Sequence, residues 1–280
     1  MSIGWNEVET PAPPRLRSGD WVWVAWRAPL ALLATLGLFG LFLILKGVDR
    51  LARLALADPP ALAPRIIQAW ATVVLFLLGL RFQPVGAPME HPGALVANHA
   101  SWLDIVTLQR STRGFFVSKA EVAGWPVIGF IGRAIGTVFI ERRATEARRQ
   151  NAVIRDRLLG GDRLCLFPEG TSTDGRRVLP FKSSLFEAFF EPELRNLVWV
   201  QPVSIAYRPR AGLPKAFYGW WGDMDFGAHL VTVMARSRGG VVEATFHPPL
   251  RVADFADRKA LAAAAGSAVA DGFARLIADS

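Results

Sequence analysis

An uncharged apolar segment near the beginning of the chain constrains the fold most strongly. It contains 18 residues, from Ala28 to Leu45, and lies between Arg27 and Lys46. An α-helix of this length rises about 27 Å, which is close to the thickness of the hydrocarbon core of a bilayer. Three tryptophans precede the segment, as in the aromatic anchors of membrane interfaces: Trp21, Trp23 and Trp26. The segment therefore predicts a helix that spans or enters a membrane.

A second apolar segment of 15 residues, from Ile66 to Leu80, is short for a complete crossing. The two segments are separated by Pro59, Pro60 and Pro64, which break any continuous helix. We therefore expect a polar leader over residues 1–20, a membrane-associated helical hairpin over residues 21–85, and a larger domain over residues 86–280. If both ends of the hairpin lie on one side of the cell's inner membrane, the larger domain faces the cytoplasm.

The pattern of the larger domain is that of an α/β protein. Six short apolar runs are typical of buried strands: Gly93–Ala97, Gly114–Val117, Gly136–Ile140, Arg163–Phe167, Val198–Ile205 and Val241–Phe246. Stretches of helical composition lie between or after them, notably Ala144–Leu159 and Asp254–Ala278. Strands that alternate with helices predict an α/β fold with a mostly parallel or mixed sheet flanked by helices.

Charge and composition narrow the class of partner. The chain has 32 Lys and Arg residues against 24 Asp and Glu residues, a formal net charge of +8. With 51% hydrophobic residues and a mean hydropathy of +0.26, this charge fits an anionic lipid surface or an anionic substrate. The basic residues are mostly arginines scattered around apolar segments, so we do not expect nucleic acid as a partner.

The cysteine and histidine content argues against a metal site. The single cysteine, Cys165, lies in an apolar run and is expected to be buried, and one cysteine cannot form a disulfide within the chain. The four histidines form no HExxH-type zinc motif: His91, His99, His229 and His247. No G-x-S-x-G sequence is present, which argues against a serine hydrolase.

The first candidate site follows the strand predicted at Gly93–Ala97, where α/β enzymes place catalytic groups. His99 and Asp104 meet there if His99 lies at the strand end and Asp104 in the first turn of a following helix. In such a pair the carboxylate accepts one imidazole N–H, and the other ring nitrogen can remove a proton. These residues alone leave two interpretations: a catalytic pair, or a structural hydrogen bond in which Ser101 or Asp104 caps the helix.

Two further motifs end predicted strands. Phe167–Thr171 places a glutamate before a glycine and a threonine, in a turn whose N–H groups suit a polar headgroup. Gly136–Arg143 ends in two arginines, whose planar guanidinium groups suit a phosphate or a carboxylate. Taken alone, each motif is more often a solvated turn or a solvated surface than a binding site.

Together, the three motifs resemble those of the glycerolipid acyltransferase family, which includes the bacterial 1-acylglycerol-3-phosphate acyltransferases. The family blocks are matched in order by Asn98, His99, Ser101 and Asp104, by Phe139, Ile140 and Arg142, by Phe167–Thr171, and by the proline-containing strand Val200–Ile205. The resemblance covers roughly residues 90–210.

The resemblance implies transfer of an acyl chain to the hydroxyl of a lysolipid, with a thioester of coenzyme A or of acyl carrier protein as the co-substrate and no metal or other cofactor. His99 would be the general base and Asp104 the group that orients it. A surrounding set of residues would bind the acceptor: Asn98, Ser101, Lys119, Arg142, Glu169, Gly170 and Thr171.

The resemblance favours 1-acylglycerol-3-phosphate as the acceptor and leaves one alternative. Ser172 stands where enzymes acting on that lipid usually have an arginine. Two stretches, Glu169–Phe186 and Trp220–Phe226, are similar to the branch that acylates lyso-ornithine lipid, whose zwitterionic headgroup carries no phosphate. A protein of another class, a non-catalytic membrane lipid-binding protein with the same fold, is disfavoured because His99 and Asp104 are both present.

Overall fold

The computed structural model describes residues 10–11, 14–56, 61–140 and 147–278. Two N-terminal helices, α1 (Ser18–Ala55) and α2 (Ala63–Leu77), pack against each other. Asp49 of α1 joins them, because its carboxylate accepts the N–H groups of Leu62 and Ala63 at 3.0 and 2.9 Å. Pro64, which we expected in the linker, lies in the first turn of α2, where its missing N–H costs no helical hydrogen bond.

A mixed sheet forms the centre of the chain. The strands found in the described residues are β1 (Leu80–Val85), β2 (Gly93–Ala97), β3 (Phe115–Lys119), β4 (Val138–Ile140), β5 (Arg163–Leu166), β6 (Trp199–Arg208), β7 (Gly240–Phe246) and β8 (Leu250–Arg251). Their order is β1-β7-β6-β2-β5-β3-β4, and β8 pairs with β6. The strands from β2 to β6 are parallel, whereas β7 is antiparallel to β6. The α/β prediction is confirmed.

Helices cover both faces of this sheet. They are α3 (Leu103–Ser111), α4 (Ala120–Ala123), α5 (Pro126–Ile135), α6 (Ala147–Leu159), α7 (Pro192–Arg195), α8 (Phe226–Arg236) and α9 (Arg258–Ala278), with short 3-10 helices at Ser183–Phe190 and Val252–Asp254. Along β2, Leu95 and Ala97 enter a core shared with α2, α3 and α8, whereas Ala94 and Val96 enter a core shared with α6 and α9. This follows from the alternation of side chains along a strand.

The boundary expected after residue 85 differs from the structure. Residues Leu80–Val85 pair in parallel with β7 and therefore belong to the sheet, not to the helical segment. We did not predict β1 from the sequence, because polar residues and a proline interrupt its apolar pattern. Its partner strand, β7, is also far away in sequence. Gly79, with φ of +67°, allows the turn from α2 into β1. The rest of the division into leader, membrane-associated segment and larger domain stays a prediction.

Candidate functional site

His99 and Asp104 meet at the carboxyl end of β2. His99 lies two residues after the strand, and Asp104 is the second residue of α3. The Nδ1 atom of His99 lies 2.8 Å from Oδ2 of Asp104. The strand end and the first helical turn that we predicted for these two residues are therefore confirmed.

Asp104 is fully buried and accepts hydrogen bonds on both oxygens. Its Oδ2 atom accepts the N–H groups of Ala100 at 2.7 Å and Ser101 at 2.9 Å, besides contacting His99. Its Oδ1 atom accepts the hydroxyl of Tyr207 at 2.7 Å. The capping interpretation is wrong, because the N-cap of α3 is Trp102 and it makes no side-chain cap.

The ring of His99 is held from one side by an aromatic stack. Its centroid lies 4.1 Å from that of Phe167, and the two planes are inclined by only 13°. Phe116 stacks in turn on Phe167, at 6.0 Å. The imidazole keeps 18% of its surface exposed. With Nδ1 directed at Asp104, Nε2 is the ring nitrogen left to face a substrate.

Glu169 lies beneath the same loop and binds main-chain groups. Its Oε1 atom accepts the N–H of His99 at 2.8 Å, and its Oε2 atom accepts the N–H of Leu179 at 3.0 Å. Only 2% of Glu169 is exposed. Burial raises the pKa of this carboxyl to about 8, although the two N–H groups oppose that shift. The glutamate therefore joins the His99 loop to the segment that follows the Phe167–Thr171 turn.

The turn that begins after Phe167 is shaped by Gly170. Its φ is +78°, and a Cβ atom there would lie 2.6 Å from Nζ of Lys182, so only glycine fits. Thr171 is half-buried beside it. Thr173, which we did not single out from the sequence, donates its N–H to the carbonyl of His99 at 2.9 Å. This contact fixes the His99 loop from a second direction.

The remaining predicted residues are distributed differently. Asn98 is buried and spans β2 and β6, donating to the carbonyl of Ile205 at 2.9 Å and accepting its N–H at 2.8 Å. Ser101 is also buried, and its hydroxyl finds no hydrogen-bond partner among the described residues. Lys119 is the last residue of β3. Arg142 lies outside the described residues.

Sequence reasoning missed two elements of the site. Tyr207 lies on β6 and reaches Asp104 from 103 positions away. The N–H of Trp220 donates to the carbonyl of Ala100 at 2.8 Å, which ties the tryptophan-rich loop to the His99 loop. The available signal was a tyrosine two residues after the predicted strand Val198–Ile205, since a buried hydroxyl needs a partner.

An apolar cavity of about 590 Å³ adjoins this centre. It lies between the N-terminal helices and the domain, and residues from α1, α2, α3, α5 and α8 line it. Trp102 and Phe116 belong to its lining, and Phe116 stacks on the ring that supports His99. The histidine thus lies beside a space with the size and polarity for an alkyl chain.

The chemistry available here is acid–base chemistry. In residues 10–11, 14–56, 61–140 and 147–278, no three His, Cys, Asp or Glu side chains are grouped to hold a metal ion. Cys165 lies on β5 and is buried, as expected, and burial raises the pKa of its thiol to about 12. A buried carboxylate that orients a partly exposed imidazole is suited to deprotonating a hydroxyl.

Comparisons with known proteins agree with this arrangement. Residues 82–206 match the family model described as Acyltransferase. The lyso-ornithine lipid O-acyltransferase of Rhodobacter capsulatus is 50% identical over 213 residues, which make up 76% of each chain. A 1-acyl-sn-glycerol-3-phosphate acyltransferase of Neisseria meningitidis is 41% identical over 132 residues, 46% of this chain and 50% of that protein.

A solved structure shares the fold. The crystal structure of the 1-acyl-sn-glycerophosphate acyltransferase PlsC from Thermotoga maritima superposes with a TM-score of 0.60. The match covers 90% of this chain and 98% of that one, at 22% sequence identity. It includes the region of the N-terminal helices as well as the sheet.

Proposed function

This chain belongs to the acyltransferase family, and we propose that it transfers an acyl chain from a thioester to the hydroxyl of a lyso-ornithine lipid. One observation carries the chemistry: a His99–Asp104 pair lies near an apolar cavity, because His99 stacks on Phe167 and Phe167 stacks on Phe116 of the cavity lining. A non-catalytic lipid-binding protein would need the cavity but not a buried carboxylate directed at an imidazole.

In the proposed reaction, Asp104 accepts Nδ1–H of His99 and leaves Nε2 unprotonated. Nε2 removes the proton of the acceptor hydroxyl, and the oxygen attacks the carbonyl carbon of the thioester. The new C–O bond forms as the C–S bond breaks, and the leaving thiolate takes the proton back from His99. Asp104 stabilises the imidazolium in between.

The acceptor assignment is supported by the relatives and by one residue. The relative from Rhodobacter capsulatus, with the higher identity and coverage of the two described above, bears the name of a lyso-ornithine lipid enzyme. Ser172, in place of an arginine, removes a cation next to the Phe167–Thr171 turn. The second candidate acceptor is 1-acylglycerol-3-phosphate, which the relative from Neisseria meningitidis supports.

We assign two kinds of role to the predicted binding residues. Glu169 and Asn98 act by positioning the His99 loop, since their side chains bind main-chain groups. The residues proposed for the acceptor headgroup remain Gly170, Thr171, Lys119, Arg142 and Ser101. The buried hydroxyl of Ser101 makes no hydrogen bond to the described residues and could bond to the headgroup. The thioester is proposed to come from coenzyme A or acyl carrier protein, with no other cofactor.

The proposed location is the inner membrane, with the domain on the cytoplasmic face. α1 and α9 are long and apolar enough to cross a bilayer, but α9 is a core helix that packs on β6. By contrast, only 6% of the most apolar 18-residue stretch of α1 is buried inside the protein. Arg27 bonds to the carbonyls of Met234 and Ser237, and Lys46 bonds to the carbonyl of Ala134. Both ends of the apolar stretch of α1 are thus bonded to the domain, and α1 is proposed to hold the domain at the bilayer surface.

Acyl transfer by the purified, detergent-solubilised protein tests the function. Lyso-ornithine lipid and 1-acylglycerol-3-phosphate are each offered with an acyl-coenzyme A and an acyl carrier protein thioester. Product from lyso-ornithine lipid alone is expected. Product from 1-acylglycerol-3-phosphate alone would transfer the assignment to the second acceptor, and turnover of neither would contradict the proposal.

A further inference from the structure

A basic recess lies at the edge of the sheet opposite to His99. This cavity of about 340 Å³ is lined by the end of α1, the beginning of α2 and the residues just before three strands. Those residues, Gly114, Gly136 and Asp162, precede β3, β4 and β5, which are parallel to β2. His99 follows the other end of β2, about 17 Å away along a five-residue strand. The recess is therefore remote from His99, although it borders the apolar cavity and shares four lining residues with it: Phe42, Ile67, Gln109 and Ile135.

Positive charge dominates the lining of the recess. Among the described residues, its cations are Lys46, Arg50, Arg53, Arg113 and Arg157, and its carboxylates are Asp49 and Asp162. Both carboxylates have partners already. Asp49 accepts two N–H groups at the beginning of α2, and Asp162 pairs with Arg157 at 2.8 Å. An excess of cations over carboxylates is left to face the cavity.

Three of these arginines, Arg50, Arg53 and Arg113, make no hydrogen bond or ion pair with the described residues, and Arg53 interacts electrostatically with Asp162. By contrast, Arg157 bonds to the carbonyl of Gly136, and Lys46 bonds to the carbonyl of Ala134. Arg50 comes from α1 and Arg113 from the approach to β3, and both residues line the one cavity. Arginines that border one recess suit a phosphate group.

The surroundings of the recess indicate the source of that phosphate. The part of α1 that contributes Arg50 also exposes large apolar side chains: Ile44 at 65%, Val48 at 45%, Leu51 at 68% and Leu54 at 85%. An apolar helix face that borders a cationic recess matches the boundary between the acyl chains and the headgroups of a bilayer. A soluble phosphate compound would leave these apolar side chains exposed to water, whereas the acyl chains of a lipid would cover them.

We propose that this recess binds the phosphate group of an anionic bilayer phospholipid, whose acyl chains lie along the exposed face of α1. The proposal rests on the membrane association of α1 in the proposed function. The phospholipid is a ligand and not a reactant, because its phosphate is held at the edge of the sheet away from His99. Its binding anchors the end of α1 at the headgroup level of the membrane.

Vesicle binding of the full chain tests the proposal. The double variant Arg50→Gln/Arg113→Gln is compared with Arg251→Gln/Lys259→Gln, which removes the same charge from exposed positions on β8 and α9. On vesicles of phosphatidylcholine with phosphatidylglycerol, the recess variant should bind about tenfold more weakly than the wild type, and the control about twofold or less. On pure phosphatidylcholine, all three proteins should bind equally.

Equal losses in both double variants would overturn the proposal, because general attraction to the surface would then explain the binding. Release of the wild type by soluble glycerol 3-phosphate would overturn the assignment to a bilayer lipid in favour of a free phosphate compound. Acyl transfer in neutral detergent should be unchanged in the recess variant. The phosphate site and the acyl transfer are thus tested by separate measurements, and either can fail alone.

Discussion

The hydroxyl of Tyr207 donates to Oδ1 of Asp104 at 2.7 Å, while His99 contacts the other oxygen of the same carboxylate at 2.8 Å. The tyrosine is buried on β6, and its hydroxyl also lies 3.4 Å from that of Thr107. Tyr207 thus shares the negative charge of Asp104 with the imidazole and holds the carboxylate in place from the sheet.

Tyr207→Phe should lower kcat about tenfold and leave KM almost unchanged, because a hydrogen bond to a charged group is lost away from the substrate. Without this donor, Oδ1 of Asp104 loses its bond to the sheet, and the carboxylate orients His99 less firmly. Steady-state kinetics with lyso-ornithine lipid measure kcat and KM separately.

Tyr218→Phe is the matched control for that variant. Tyr218 is the other tyrosine of the chain, is buried, packs 5.6 Å from the ring of Tyr207, and bonds to Ser237 instead of Asp104. Its kcat should stay close to that of the wild type. A loss of kcat of equal size in both variants would indicate a packing effect and not a specific bond.

His99→Ala should reduce acyl transfer by about 10³-fold, since a general base contributes of that order. His91→Ala removes a histidine that stacks on Trp199 and lies outside the apolar cavity, so its activity should stay close to that of the wild type. Turnover with each acceptor and circular dichroism of both variants provide the measurement. Near-normal transfer by His99→Ala would refute the proposed mechanism.

The raised pKa of Glu169, about 8, predicts a pH-dependent stability. An acid whose pKa rises on folding stabilises the folded state most below its unfolded pKa, and this contribution disappears as the pH rises through the folded value. The side chain of the Glu169→Gln variant does not titrate. Its NH₂ group replaces one acceptor oxygen and faces a main-chain N–H group. The variant should be less stable than the wild type by about 1–3 kcal/mol near pH 5.5.

The difference between wild type and Glu169→Gln should narrow as the pH approaches 8.5. Denaturant unfolding in mild detergent at several pH values measures it. Glu193→Gln, at an exposed glutamate, should differ from the wild type by a constant amount over the same range. A difference for Glu169→Gln that widens with pH would contradict the raised pKa.

The apolar cavity predicts that residues of α1 limit the length of the acyl chain that is transferred. Ala31 lines the cavity, so Ala31→Phe should fill part of it and lower kcat/KM for long acyl donors about tenfold relative to short ones. Leu33 lies on the outer face of the same helix with 65% exposure, so Leu33→Phe should leave the chain-length preference unchanged. Identical preferences in the two variants would place the acyl chain elsewhere.

The local parts of the site could be predicted from sequence. His99 and Asp104 lie within one strand–turn–helix unit, so their spacing along the chain was sufficient to bring them together. The apolar strands and the long α1 were visible for the same reason, because hydrophobic periodicity is a property of neighbouring residues. The sequence by itself thus determined the α/β class, the contact between His99 and Asp104, and the apolar N-terminal helix.

The tertiary structure decided which distant groups support that pair. Tyr207 reaches Asp104 because β6 pairs with β2 in a register that sets Ala97 opposite Val203. Glu169 binds the N–H of His99, and so a residue expected at the headgroup became a positioning residue. Strand order and register arise from the packing of the whole core, and no local pattern encodes the partner of a buried hydroxyl or carboxylate.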